Sequence, residues 1–401
     1  MSILMKMKAY EAAEDLYLMG KNSKIDDKKW QSLHYVATNH FREIVPQYAI
    51  FQRYFEDYDY ADTIISKTLA GYSPYDVASE KQKTAIVVDT IQSMVGYMHV
   101  ARLMYEALDD CKQSSKIDDV NRWDAAVASF FGSTIGSEDV TSPQNSGEFL
   151  FGLGQDRCEQ FGTCDKQGFA IVNKEILTLF FAGQSELNLG NCVALENTAE
   201  KILPLLQVSL VQSTLKYAID LEGEVLNTKD ASKGSGFAFS SSILPLVNDI
   251  DGPAASVIEK NMDFEFTNRP VYQGAQSIFE SFQDAVPRMN GFDCEMVGKV
   301  DDMNVCGRPF TLSVDKDNNK YGPVTIGFVV AANIVFIIIA FKIGYNWKQR
   351  KQYGIEFTSQ IEESPTYKDT NKDTESLGTE SLETINMKGK TEVLDTMGVV
   401  D

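Results

Sequence analysis

The run Val324 to Phe341, VTIGFVVAANIVFIIIAF, carries no charged side chain and only Thr325 and Asn333 as polar interruptions. A helix from Val324 to Ile343 rises about 1.5 Å per residue and covers about 30 Å, the thickness of a bilayer's hydrocarbon core. The sequence therefore predicts one membrane-crossing helix over residues 324–343. Lys342, Lys348, Arg350 and Lys351 crowd its C-terminal side, whereas Asp315 and Asp317 precede it. Basic residues stay cytosolic, so the tail, residues 344–401, is expected inside and the chain before the span outside or in a lumen. Tyr345 and Trp347 suit the headgroup belt. The span thus divides the chain into an ectodomain at 1–310, a short stalk at 311–323, the helix itself and the tail. The tail is rich in Ser, Thr, Glu, Asp and Lys, poor in aromatics, and expected to be disordered.

This orientation needs an export signal. The first residues, MSILMKMKAYEAAEDLYLMGKNSK, hold no apolar stretch of usable length and no small-residue cleavage site. The expectation is that the sequence begins inside its ectodomain, after a leader.

Six cysteines, Cys111, Cys158, Cys164, Cys192, Cys294 and Cys306, all precede the span. An even number in an exported region points to disulfides. Cys158 with Cys164 and Cys294 with Cys306 can close short loops, which leaves Cys111 and Cys192 for a longer tie, although six cysteines allow about 15 connectivities. Structural zinc is disfavoured, because there is no paired CxxC and the histidines are His34, His40 and His99 alone. The net charge of −20 makes nucleic acid an unsuitable partner. No N-x-S/T sequon occurs in the ectodomain, so no N-glycan is expected there.

Apolar residues recur with a helical period over 9–18, 30–44, 81–108, 120–131, 147–159, 170–182, 198–221, 240–247, 255–262 and 275–282. Breakers around Pro74, Pro143, Gly234 and Pro270 separate these segments. The fold class expected is all-α. IQSMVGY, ending at Tyr97, matches VQSTLKY, ending at Tyr217, which suggests two related halves at about 50–192 and 193–310.

GxSxG, HExxH, P-loop and GxGxxG patterns are all absent, and three histidines supply acid-base hydrolysis poorly, so an enzyme is disfavoured. FEDYDYADTII instead gathers Glu56, Asp57, Tyr58, Asp59, Tyr60 and Asp62 ahead of an apolar helical run. Carboxylate and phenolate oxygens are hard donors that suit ferric iron, and a tyrosine ligand must lose its proton, so such binding weakens on acidification. The plain structural reading is a helix N-terminus with acids on its macrodipole and packed tyrosines.

YEAAEDLYLMGKNSK, DYADTII, RWDAAVASFFGS, DRCEQFGTC, AIVNKEILTLFFAGQSEL, LLQVSLVQSTLKYA, GFAFSSSILPLV and NGFDCEMVG follow in this order from Tyr10 to Gly298. This series resembles the phytotransferrins, the algal iron-assimilation surface proteins. The resemblance implies a protein induced when iron is scarce, which captures Fe(III) with a carbonate anion at the plasma membrane and carries it into endosomal vesicles by endocytosis. Matched onto this chain, Tyr60 and Asp62 of DYAD become the first candidate iron ligands. Asp124 is a third oxygen ligand, unless it is only a first-turn acid. Tyr97 and Tyr217 are candidates as a pair facing a cleft between the halves, their other reading being core tyrosines. Arg157 and Arg122 are candidate anion-binding cations. His99 is either a ligand or a satisfied core histidine. Endocytic adaptors would bind the tail, yet Tyr353 of YGIE lacks the bulky apolar residue three positions on. The reading of a different class is a membrane-anchored adhesion or scaffold protein with a helical ectodomain and no metal site.

Overall fold

The first helices form where apolar residues repeat on one face and stop where glycine can turn left-handed. α1 (Ser2–Lys6) and α2 (Tyr10–Met19) open the chain, and α2 ends at Gly20 with φ +59°. A computed structural model describes residues 1–21, 24–26, 29–38, 44–113, 118–132, 149–222, 230–263 and 271–306. The stalk, the span at 324–343, the tail and His40 lie outside the described residues. A short ribbon, β1 (Lys24–Asp26) against β2 (Lys29–Trp30), leads to α3 (Leu33–Thr38), α4 (Pro46–Phe55) and α5 (Tyr60–Ala70).

α6 (Glu80–Thr90) starts at a full capping box, in which Ser79 accepts from the Gln82 backbone and the Gln82 side chain accepts from the Ser79 backbone. It runs through a π-helical turn at Ile91–Val95 into α7 (Gly96–Lys112), and α8 (Asp118–Phe131) folds back on α7. α9 (Leu150–Phe161) and α10 (Ile171–Leu189) precede the longest helix, α11 (Cys192–Leu221). α12 (Asp230–Ile250), α13 (Gly252–Met262) and α14 (Ala275–Ala285) follow, and a small ribbon of β3 (Lys299–Val300) and β4 (Met303–Asn304) closes the described part. The expected all-α class holds for the described residues, which are mostly helical.

α11 is central, packing against α7, α9, α10, α12 and α14. It is long and apolar enough to cross a membrane, but 83% of its apolar window is buried within the protein, as in the core helix of a soluble fold. One apolar core runs from Met5 to Val305 and draws on both proposed halves. The matched segments lie differently in two helical hairpins: IQSMVGY opens α7, which pairs with α8, whereas VQSTLKY falls near the end of α11, which pairs with α12. They differ in backbone, because IQSMV is π-helical whereas VQSTL lies in regular α-helix. A π turn changes the phase of the residues after it, so equivalent side chains leave the two helices in different directions.

The disulfides are Cys111–Cys192, Cys158–Cys164 and Cys294–Cys306, and no cysteine among them is free. Cys111–Cys192 joins the last turn of α7 to the start of α11. α10 packs closely on α8: Gly183 of α10 faces Trp123 of α8, where a Cβ would come within 2.1 Å of the indole. The Trp123 indole N–H donates to the Phe180 carbonyl at 2.9 Å.

Candidate metal centre

The close turn at Gly20 sets up the site. A Cβ there would lie 2.7 Å from the Gln31 carbonyl oxygen and 2.8 Å from Ser32 Cα, so only glycine lets the end of α2 touch the segment that starts α3. Ser32 Oγ then accepts from the Tyr35 backbone N–H at 2.9 Å and fixes the first turn of α3. The consequence is that Tyr17, on the last turns of α2, meets His34 at the beginning of α3, with ring centroids 5.8 Å apart and planes at 69°.

Both side chains point at Asp62, on the first turn of α5. The Tyr17 hydroxyl donates to Asp62 Oδ1 at 2.7 Å, and His34 Nδ1 stands 2.8 Å from the same oxygen. A carboxylate only accepts, so His34 carries its proton on Nδ1. Ser66 Oγ, one turn further along α5, donates to that oxygen at 3.1 Å. Phenol, imidazole and carboxylate therefore converge on one point. Tyr17 is fully buried, while the Asp62 and His34 side chains keep 16% and 39% of their surfaces exposed, so the cluster is open to solvent on one side. Burial pushes the Tyr17 phenol far above its ordinary pKa, with the charge of Asp62, its hydrogen bond and Asp59 adding to the effect.

Tyr60 and Asp62 do not converge. Residues two apart on a helix point in widely different directions. Asp62 faces α2 and α3, whereas the Tyr60 ring is buried against Tyr48, Phe51 and Phe55 at 5.8, 5.3 and 5.4 Å. Burial holds the Tyr60 phenol well above its ordinary pKa.

The remaining candidates lie elsewhere. Tyr97 is fully buried beside Phe51 and accepts from Gln207 Nε2 at 3.0 Å, and burial raises its pKa. Tyr217 lies ten residues beyond Gln207, about 15 Å along α11, so the two tyrosines share no cleft. Asp124 receives Gln184 Nε2 at 3.1 Å across the α8–α10 contact, with burial lifting its pKa. Arg122 is engaged by Glu106 and Asp110, each at 2.5 Å. His99 Nδ1 lies 2.9 Å from Arg102 Nη2 and accepts from it, and burial together with that cation lowers His99 to about 3.

The structure does bring Arg157 and Tyr217 together. Arg157 Nε donates to Ser213 Oγ at 3.1 Å and Nη1 to Gln160 Oε1 at 2.5 Å, with the guanidinium carbon 5.9 Å from the Tyr217 ring centre. Lys216 Nζ stands 3.8 Å over the same ring, whose other contact is a stack on Phe239 at 5.6 Å. Asp89 of α6 belongs to this group: burial lifts it to about 6, while a Ser235 hydrogen bond, Arg157 and Lys216 hold it down.

Sequence reasoning named Asp62 but neither of the side chains that meet it, Tyr17 and His34. Tyr17 lies in the quoted YEAAEDLYLMGKNSK, where with Ala13 it marks the buried face of α2. Its spacing reads as core, and nothing in sequence links it to a residue 45 positions away. Among the described residues, no group of three or more His, Cys, Asp or Glu is gathered for a metal; the Asp62 cluster holds one imidazole and one carboxylate beside the Tyr17 phenol. Comparison of the chain with family models, curated proteins and solved structures finds no match.

Proposed function

We propose that this protein is a surface receptor that takes ferric iron as cargo at Tyr17, His34 and Asp62. The observation that carries this reading is the meeting of a phenol, an imidazole and a carboxylate at a single oxygen, with no lysine or arginine in contact among the described residues. Hard oxygen donors and one imidazole suit Fe(III). In the iron-free form the proton of Tyr17 and that of His34 Nδ1 bridge to Asp62, and a metal ion takes the place of those protons. Binding then releases protons, so acid favours release. The resemblance to phytotransferrins supports a carbonate anion as co-ligand, a membrane anchor at residues 324–343, plasma-membrane display and delivery to endosomal vesicles. Tethering keeps captured iron at the surface and moves it with the membrane.

The test is titration of the protein with ferric iron at neutral pH, with and without bicarbonate. A visible tyrosinate-to-iron charge-transfer band that bleaches on acidification is expected. A silent titration under both conditions overturns the iron reading and leaves the adhesion or scaffold reading.

A further inference from the structure

A second feature stands apart from the iron reading. Between α3, α4, α5, the π turn and α7 lies a small pocket whose walls include Val45, Met94 and Met98, with Tyr48, Tyr60, His99 and Arg102 as its polar lining. Arg102 is 7% exposed, so its charge is buried, and burial presses its pKa below the ordinary value. Its Nη2 donates to His99 Nδ1. Nε is 3.6 Å from Glu106 Oε1, an ion pair too long for a hydrogen bond, and neither Nε nor Nη1 has a hydrogen-bond acceptor in the described residues. Glu106 is shared with Arg122, whose Nη1 is nearer at 2.5 Å. A buried charged donor without an acceptor is costly, and an anion offers the missing acceptor.

The lining fits that role. With Nδ1 of neutral His99 accepting from Arg102, the ring proton sits on Nε2, so His99 is a donor. The Tyr60 phenol, on the α5 wall, is another potential donor. The space for the centre of a water-sized molecule is about 20 Å³, enough for one small ion and far too little for citrate or a nucleotide.

We propose that this pocket binds a small oxyanion, of the size of bicarbonate or sulfate, through Arg102. The experiment is thermal unfolding of the iron-free full chain in rising bicarbonate or, separately, sulfate, with chloride balancing ionic strength. A saturable rise with at least one of them is expected, about 3 °C at ten times the dissociation constant. The rise is expected to vanish in Arg102→Gln and in Ala37→Met, which fills the pocket from its partly buried α3 wall. Ala37→Met carries the test where Arg102→Gln fails to fold. No saturable rise with either anion, or a rise that the folded variants keep, overturns the proposal. Because iron is absent throughout, either result leaves the Tyr17 centre untouched.

Discussion

Two clusters in this molecule pair an aspartate with a tyrosine, and their neighbours give them opposite character. At Asp62 the partners are a phenol, an imidazole and a hydroxyl, and among the described residues no lysine or arginine contacts the carboxylate. At Asp89 the surroundings hold Arg157 and Lys216 beside Tyr217. A cation entering the first cluster replaces protons, whereas one entering the second must compete with two fixed positive charges. Ligand-type residues alone therefore do not make a metal site; the absence of a competing cation matters as much.

The comparison breaks most directly at the carboxylates. Asp62→Ala is expected to weaken ferric iron binding by more than about 100-fold, since even supporting residues of metal sites cost 10- to 100-fold. Asp89→Ala is expected to leave the affinity unchanged. Competition titration against a ferric chelator reads both. Equal losses would place iron at the wrong cluster, and loss in Asp89→Ala alone would reverse the assignment.

The phenols sharpen the same contrast with a spectroscopic signature. Tyr17→Phe is expected to abolish the visible charge-transfer band and to cost about 10- to 100-fold in affinity, because it removes one ligand but leaves two. Tyr217→Phe should retain the band, since that ring already lies between Phe239 and two cations. A band that survives in Tyr17→Phe and disappears in Tyr217→Phe would transfer the site to α11.

Why Asp62 was legible and its partners were not follows from where each interaction lives. Asp62 belongs to a local motif, DYAD, that a reader can see whole. Tyr17 and His34 reach it only through the fold of α2 onto α3, and that fold rests on the absent side chain of Gly20. Long helices such as α7 and α11 declared themselves by their recurring apolar residues, as did the cysteine pairing by loop length. α4 did not, because it is short, and α5 showed only its acidic N-terminus, because it buries Ala61, Ile64, Ile65, Thr68 and Leu69, a face too broad for a clear period. Arg157 and Tyr217 were named singly; their contact joins α9 to α11 and has no sequence spacing to betray it.

The smallest effect lies in stability, and it tests whether Asp89 is a desolvated acid. Its pKa in the folded protein, about 6, lies above that of an unfolded aspartate. A raised acid favours the folded state while protonated, so its contribution is complete below about pH 4 and is lost as pH rises through about 6. The full loss is about 3 kcal/mol at most, from a shift of about two units. Asp124 and Asp156 are also raised by burial, so the wild type carries their slopes too. The informative quantity is the difference: Asp89→Asn should unfold at a denaturant midpoint that falls less between pH 4 and 6.5 than that of the wild type. A parallel fall in both would mean that Arg157 and Lys216 already neutralise Asp89 fully. The two clusters would then differ in charge balance alone, and burial would play no part in the contrast.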